Sequence, residues 1–315
     1  MSIEELDPQV QLVIQKTIDA GIPKVHTLDP TEARKLIENL AEARKETYPP
    51  PEVLSVEDTA TGADYGRVPV RIYRASDEVG PVMVFYHGGG HVFGSINTHD
   101  TMARFLCRTC GITVVSAEYR MGPEDPFPSA VEDAYQTARW AANHASDLKV
   151  DPARLVVGGD SAGGNLAAVT ALMARDTGAF PIAAQLLVYP VTDYRGSTAS
   201  HRSFAEGYGI LEAETMVWFR DHYLGGMEGA SDWRASPLLV ESVAGLPPAF
   251  VLTASHDVLR DEGIAYADRL REAGATVKHV DYPGMIHGFF GYLGLVDMAE
   301  RAHKDVAEWL QTIWV

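Results

Sequence analysis

The chain has 315 residues, of which 46% are hydrophobic and 22% charged, a balance that predicts a globular protein with a sizeable core and excludes disorder. Its formal net charge of -17 disfavours nucleic acid and anionic membrane surfaces as partners, because both attract basic proteins. The first residues lack a basic segment followed by an apolar one, and no apolar run approaches the ~20 residues that span a bilayer. We therefore expect a cytoplasmic protein without membrane insertion.

Two amphipathic helices are predicted ahead of the first strand. Asp7 is placed to cap the first helix, with Pro8 at its first position. Asp29 and Glu32 have the spacing of a capping box around Pro30 at the start of the second. Because no strand precedes the proline-rich stretch at 48–52, residues 1–47 are predicted to be an addition to a later core.

A β-rich pattern begins at Val53, and strands then alternate with helices to the end of the chain, apart from an interruption after residue 189. This alternation predicts an α/β fold with a mainly parallel central sheet covered by helices on both faces. We assign the core to residues 48–189 and 237–315. The predicted strands are VLSVED, VPVRIY, VMVFYH, ITVVSAEYR, RLVVGGD, AAQLLVYP, AFVLTAS and TVKHVDY.

The alternation stops over residues 190–236, where only a helix from Glu212 to Tyr223 is predicted. A gap of that length is rarely a plain loop in a compact domain, so we expect a lid or cap insertion. Its larger side chains are candidates for a substrate pocket, although an aromatic stripe at helical spacing is also typical of a core. The candidates are Tyr208, Ile210, Trp218 and Phe219, with Tyr223 beside them.

The two cysteines, Cys107 and Cys110, form a C-x-x-C pair late in a helix predicted from His99 to Cys110. A reactive thiolate is favoured at the start of a helix, not at its end. Buried free cysteine behaves as a small hydrophobic residue. We therefore predict a packing role for both, without redox or metal chemistry.

The sequence Gly159-Asp160-Ser161-Ala162-Gly163 places a G-x-S-x-G motif between a predicted strand and a predicted helix. This context is typical of a nucleophile elbow, in which a strained turn exposes the serine oxygen at the edge of the sheet. The amide of Ala162 at the helix start would point toward an anion forming on the substrate. Ser161 is therefore the predicted nucleophile.

His87-Gly88-Gly89-Gly90 follows a strand that is apolar throughout. Three consecutive glycines expose backbone amides, which suits an oxyanion hole. A phosphate-binding loop is the alternative, but neither G-x-x-x-x-G-K-[ST] nor a complete G-x-G-x-x-G is present here. His87 itself is expected to hold the loop.

A serine nucleophile needs a base and an acid, which hydrolases of this kind supply in the order Ser, acid, His. Of the eleven histidines, His287 lies in a loop after a strand, at the same edge of the sheet as Ser161. Asp257 lies at another strand end, whereas its rival Asp261 falls in the first turn of a helix, where a carboxylate stabilises the dipole. We predict Asp257 as the acid.

These motifs together resemble the hormone-sensitive lipase family of α/β-hydrolases, in its bacterial carboxylesterase branch. The resemblance extends over nearly the whole chain and includes Tyr119 to Glu124, which departs from the family's Y-R-L-A-P-E at Met121 and Gly122. It implies an α/β-hydrolase fold with a helical cap formed by the N-terminal helices and part of 190–236. It also implies that Gly88, Gly89 and Ala162 donate to the oxyanion.

The expected activity is hydrolysis of carboxylic esters, with water-soluble substrates of short to medium acyl chains favoured by the cap. The sequence leaves open an amide or lactone substrate for the same residues. A non-catalytic small-ligand receptor is a further alternative, disfavoured because a pure binder needs no base. No cofactor and no metal site are predicted, the partner is a small-molecule ester, and a homodimer remains open.

Overall fold

The computed structural model describes residues 3–314. Its centre is an eight-stranded sheet in the order β1-β2-β4-β3-β5-β6-β7-β8. Strand β2 pairs antiparallel with both β1 and β4, and the remaining pairs are parallel. The strands are β1 Ser55–Ala60, β2 Pro69–Arg74, β3 Gly80–Tyr86, β4 Thr113–Ala117, β5 Val150–Asp160, β6 Ala184–Val188, β7 Ala249–His256 and β8 Val277–Ile286.

Helices cover both faces of this sheet, as the strand and helix alternation predicts. The helices are α1 Pro8–Asp19, α2 Pro30–Thr47, α3 Asp100–Cys110, α4 Ser129–Asn143, α5 Ala145–Leu148, α6 Ala162–Thr177, α7 Ala199–Ser203, α8 Ala213–Leu224, α9 Arg260–Glu272 and α10 Asp297–Ile313. Alternate residues of β3 point to opposite faces: Val82 and Val84 pack with the buried residues of α4, α6 and α9, and Met83 and Phe85 with those of α1, α3 and α10.

The N-terminal helices begin where their caps predict. Asp7 accepts a hydrogen bond from the amide of Gln9 (2.8 Å), and Asp29 and Glu32 form the reciprocal bonds of a capping box. Val10 and Ile14 of α1 are buried against the core, so α1 is not a loose appendage. Among residues 3–314, no helix combines the length and the apolar character needed to cross a bilayer.

The cysteine pair is reduced and lies late in α3. Cys107 is buried and Cys110 partly so. Burial raises the pKa of each thiol to about 12, which keeps both protonated at neutral pH. This environment is that of packing residues.

Candidate active site

Ser161 lies on the sharp turn between β5 and α6. Its φ of 56° and ψ of -117° are strained for a residue with a side chain. The turn closes tightly because Gly163 has no side chain: a Cβ atom there would lie 1.8 Å from the carbonyl oxygen of Tyr86. A Cβ atom at Gly159 would lie 2.4 Å from the same carbonyl oxygen, so the elbow geometry depends on glycines on both sides of the serine.

A chain of two hydrogen bonds joins the three side chains predicted for catalysis. The Oγ atom of Ser161 lies 2.9 Å from Nε2 of His287. Nδ1 of the same ring lies 2.7 Å from Oδ2 of Asp257. Ser161 follows β5, Asp257 follows β7 and His287 follows β8, so the parallel strands bring all three to one edge of the sheet.

The two oxygens of Asp257 have separate partners. While Oδ2 contacts His287, Oδ1 accepts a hydrogen bond from the amide of Leu259 (2.9 Å). The side chain is fully buried, so this division fixes its orientation. The rival acid Asp261 lies in the first turn of α9, and its Oδ2 accepts from the amide of Ser200 at the start of α7 (2.8 Å). Asp261 thus fastens α7 to α9.

The backbone amides of the glycine loop that are free to donate differ from those expected. The amide of Gly88 donates to Oδ1 of Asp160 (2.9 Å), so the predicted role of Gly88 as an oxyanion donor is wrong: its only N–H group is already used. The amides of Gly89, Gly90 and Ala162 have no hydrogen-bond partner within residues 3–314. The free donors of the loop are therefore shifted by one residue from the predicted pair.

Both free glycines occupy positions that exclude a side chain. Gly89 has a φ of +122°, and a Cβ atom there would lie 2.1 Å from the carbonyl oxygen of Phe93. Gly90 has a φ of +62°, and its Cβ would collide with the ring of Phe219. The loop can adopt this path only with glycine at these two positions.

Asp160 has a second partner, which was not predicted from the sequence. Nε2 of His99 lies 3.4 Å from the Oδ1 atom that also accepts from Gly88. Burial opposes ionisation of both groups, but their mutual attraction outweighs it, raising the pKa of His99 and lowering that of Asp160. Asp160, the residue before Ser161, is therefore held by both His99 and the glycine loop. Only the position of Asp160 in the motif could have suggested this.

His87 lies beneath the loop. Its Nδ1 is 2.8 Å from the carbonyl oxygen of Gly88, and its ring stacks on Tyr119 at a centroid distance of 4.3 Å. Burial lowers the pKa of His87 to about 3, so the ring is neutral. The hydroxyl of Tyr119 donates to the carbonyl of His87 (2.6 Å), which connects the Y-R-M-G-P-E segment to the glycine loop.

A cavity of about 450 Å³ opens above Ser161 and His287. Of the pocket candidates, Ile210 and Phe219 line it. Tyr208 and Trp218 do not, so their assignment to the pocket is wrong. Trp218 adjoins Phe219 on α8 but is rotated about 100° around the helix, and it packs on His222 instead. Tyr223 is fully buried and stacks on His91.

The N-terminal helices contribute much of the cavity wall and are tied to the rest of the site. Arg34 of α2 donates to the carbonyl oxygens of Val92 (2.8 Å) and Gly122 (2.7 Å) and pairs with Glu124. These bonds hold α2 over the glycine loop. Sequence periodicity placed the helix but could not indicate this contact.

A second tie joins the α1–α2 connection to the start of α8. Lys24 pairs with Glu212 (2.9 Å), and His26 contacts Thr215 (3.0 Å) and Glu214 (3.2 Å). His26, Glu212 and Glu214 bring their ligand atoms within 4.8 Å of one another. The ammonium of Lys24 already neutralises Glu212, so this group is an ion-pair cluster and we assign no metal to it.

Known proteins resemble this chain in both sequence and fold. A family model described as the alpha/beta hydrolase fold matches residues 83–291. A carboxylic ester hydrolase of Mycobacterium tuberculosis, LipN, is 40% identical over 301 residues, covering 92% of this chain and 78% of its own. The chain belongs to the hormone-sensitive-lipase-type family of α/β-hydrolases.

Further members of the family match almost end to end. An ethyl acetate hydrolase of Pseudomonas putida is 34% identical, with 97% of this chain and 98% of that protein covered. A solved structure of a hyperthermophilic esterase from Pyrobaculum calidifontis superposes with a TM-score of 0.93 at 38% identity, covering 98% of each chain. This α/β-hydrolase is accordingly an ester-hydrolysing enzyme of the carboxylesterase type.

Proposed function

We propose that this α/β-hydrolase cleaves carboxylic esters through an acyl-enzyme intermediate, with Ser161 as nucleophile, His287 as general base and Asp257 as the acid that orients the base. The continuous hydrogen-bond chain among these three residues carries the proposal, with links of 2.9 and 2.7 Å. It supplies both requirements of a serine nucleophile: a base within reach of the hydroxyl, and a group that orients the base.

In the first half-reaction, Nε2 of His287 takes the proton of Ser161 as Oγ attacks the ester carbonyl carbon. The carboxylate of Asp257 accepts the Nδ1–H and stabilises the imidazolium that forms. The imidazolium then returns its proton to the departing alcohol oxygen, leaving an acyl group on Ser161. Water, activated by the same histidine, hydrolyses the acyl-enzyme and regenerates the serine.

The carbonyl oxygen becomes negatively charged during each attack and needs hydrogen-bond donors. We assign this role to the amides of Gly89, Gly90 and Ala162, in place of the Gly88, Gly89 and Ala162 set expected from the sequence. All three amides lack partners within the described residues. Loss of one such donor typically raises the barrier by ~3 kcal/mol.

The cavity supports esters with short to medium acyl chains as substrates. Its lining is mainly apolar, with Val13, Leu36, Ile37 and Leu40 from the N-terminal helices and Phe219 from α8. One relative is named an ethyl acetate hydrolase, which agrees with a short acyl group. In this proposal residues 1–47 and 190–236 form a cap over the core segments 48–189 and 237–315.

The test is hydrolysis of p-nitrophenyl esters of increasing acyl length by the wild type and by Ser161→Ala, with the exposed Ser146→Ala as control. The control should match the wild type. Ser161→Ala should retain its melting temperature and lose activity, and residual turnover above about one per cent would contradict the assignment. A fluorophosphonate should modify Ser161, and peptide mapping that found another serine would reject the nucleophile.

A further inference from the structure

One wall of the cavity is formed by a single face of α2. The six lining residues of this helix recur with helical spacing and change from apolar to basic toward its end. They are Leu36, Ile37, Leu40, Ala41, Arg44 and Lys45. From Leu36 to Arg44 the helix rises about 12 Å at 1.5 Å per residue. A linear substrate lying against this face would pass from aliphatic side chains to a cationic end.

The basic side chains that line the cavity differ in whether they have an acidic partner. Two of the three Lys and Arg side chains that line the cavity are neutralised, Lys24 by Glu212 (2.9 Å) and Lys45 by Glu42 (3.1 Å). Arg44 has no carboxylate within ion-pair distance in the described part of the chain. In a protein with 43 acidic and 26 basic residues, an unneutralised arginine on a cavity wall calls for an explanation.

The guanidinium of Arg44 is held in place, but most of its N–H donors have no hydrogen-bond partner in the described residues. Nη2 donates to the carbonyl oxygen of Leu293 (2.8 Å), and the group lies over the ring of Tyr292 at 5.7 Å from its centroid. These contacts use one of its five N–H donors, and no other bond from it occurs among residues 3–314. Its place in the last turn of α2 complements the helix dipole, but that interaction uses none of the remaining donors.

We propose that Arg44 binds an anionic group at the far end of the substrate, so that the cavity takes half-esters of dicarboxylic acids, with the ester carbonyl at Ser161 and the free carboxylate at Arg44. This inference rests on the proposed esterase function. A planar guanidinium binds a carboxylate through two parallel hydrogen bonds, and partial desolvation strengthens the pair. The apolar face of α2 would contact the methylene chain between the two ends.

The chemistry of the reaction is unchanged by this choice of substrate. Oγ of Ser161 forms a bond to the ester carbonyl carbon, and the bond from that carbon to the alcohol oxygen breaks. The acyl-enzyme retains its free carboxylate at Arg44 until water releases the dicarboxylate. Arg44 is a binding residue here and takes no part in proton transfer.

The test compares two series of p-nitrophenyl esters of matched length, neutral alkanoates and their ω-carboxylate counterparts. For each length, kcat/KM of the carboxylate is divided by that of the neutral ester. The wild type should reach a ratio of at least one at some chain length. Arg44→Met should lower that ratio roughly 10- to 100-fold, the range expected for hydrogen bonds to a charged group; dividing by the neutral ester removes any general effect of the variant on activity.

Lys35→Met is the matched control, because it removes an exposed positive charge from the same helix outside the cavity lining. Its ratio should equal that of the wild type. Arg44→Lys keeps the charge without the planar pair of donors, and its ratio should fall between those of the wild type and Arg44→Met. This variant also keeps the proposal testable if Arg44→Met does not fold.

A wild-type ratio far below one at every length would overturn the inference, as would a ratio unchanged in Arg44→Met or lowered equally in Lys35→Met. These outcomes are separate from failure of the proposed function. If the wild type hydrolysed neither series, the esterase proposal itself would be wrong. Hydrolysis of neutral esters alone would leave the esterase standing and remove the role of Arg44.

Discussion

Replacing Asp257 by asparagine should disable catalysis without unfolding the protein, because the two carboxylate oxygens have different partners. Oδ1 accepts from the amide of Leu259 and Oδ2 contacts Nδ1 of His287. An asparagine that keeps the Leu259 bond with its oxygen must turn its NH₂ group toward His287. Nδ1 must then accept that hydrogen bond, and the ring proton moves to Nε2, which can no longer take the proton of Ser161.

The expected loss follows from this tautomer change. Neutralising the acid of such a triad lowers kcat by roughly 10³ to 10⁴, equivalent to a barrier higher by about 4 to 5.5 kcal/mol. The melting temperature should change little, because the buried amide keeps the shape of the side chain and the Leu259 bond. Steady-state rates on a p-nitrophenyl ester and a thermal melt measure the two effects.

Asp261→Asn is the matched control, four residues further along the chain. Its carboxylate accepts from the amide of Ser200, and an asparagine oxygen can do the same. We expect near-normal kcat and a stability change below about 1 kcal/mol. If Asp261→Asn were inactive while Asp257→Asn kept most of its turnover, the assignment of Asp257 and the tautomer argument would both be refuted.

Two further predictions concern α2 and a buried acid. Arg34→Met should raise KM several-fold with a smaller change in kcat, because Arg34 ties α2 to the glycine loop through Val92; unchanged steady-state constants would contradict this tie. Glu262→Gln should flatten the pH dependence of stability. Burial raises the pKa of Glu262 well above its ordinary value, so the folded state retains a proton that the unfolded state releases, and wild-type stability falls as pH rises above ~4.3. Equal slopes of unfolding free energy against pH in both proteins would argue against that cause.

The sequence predicted the elements well because their signals are local. The helix expected from Glu212 to Tyr223 is α8, and the helix expected directly after the G-x-S-x-G serine is α6. Apolar runs predict where the strands lie, and capping residues predict where the helices begin. The order of strands in the sheet, with β3 between β4 and β5, depends on long-range pairing that no local pattern encodes.

The side chains of the site were partly predictable. The proximity of Ser161, Asp257 and His287 could be predicted because each lies just beyond a strand end of a parallel sheet. Which glycine amide stays free depends instead on Asp160, whose contact with Gly88 spans 72 positions in the sequence. The cavity wall depends on the rotation of α8, which includes Phe219 and excludes its neighbour Trp218. Sequence periodicity cannot detect a shift of one residue, yet such a shift decides which glycine amide is free and which side chain of α8 lines the cavity.

The backbone strain at Ser161 lowers the stability of the protein at the position of the proposed nucleophile. A side chain held at a φ of 56° and ψ of -117° costs roughly 1–3 kcal/mol, whereas glycine would occupy the same turn without that strain. The added chain entropy of glycine in the unfolded state offsets only about 0.4–1 kcal/mol of the gain. Replacing Ser161 by glycine would therefore stabilise the protein while removing the proposed nucleophile. In the proposed mechanism, the protein gives up this stability to hold the attacking oxygen at an exposed turn.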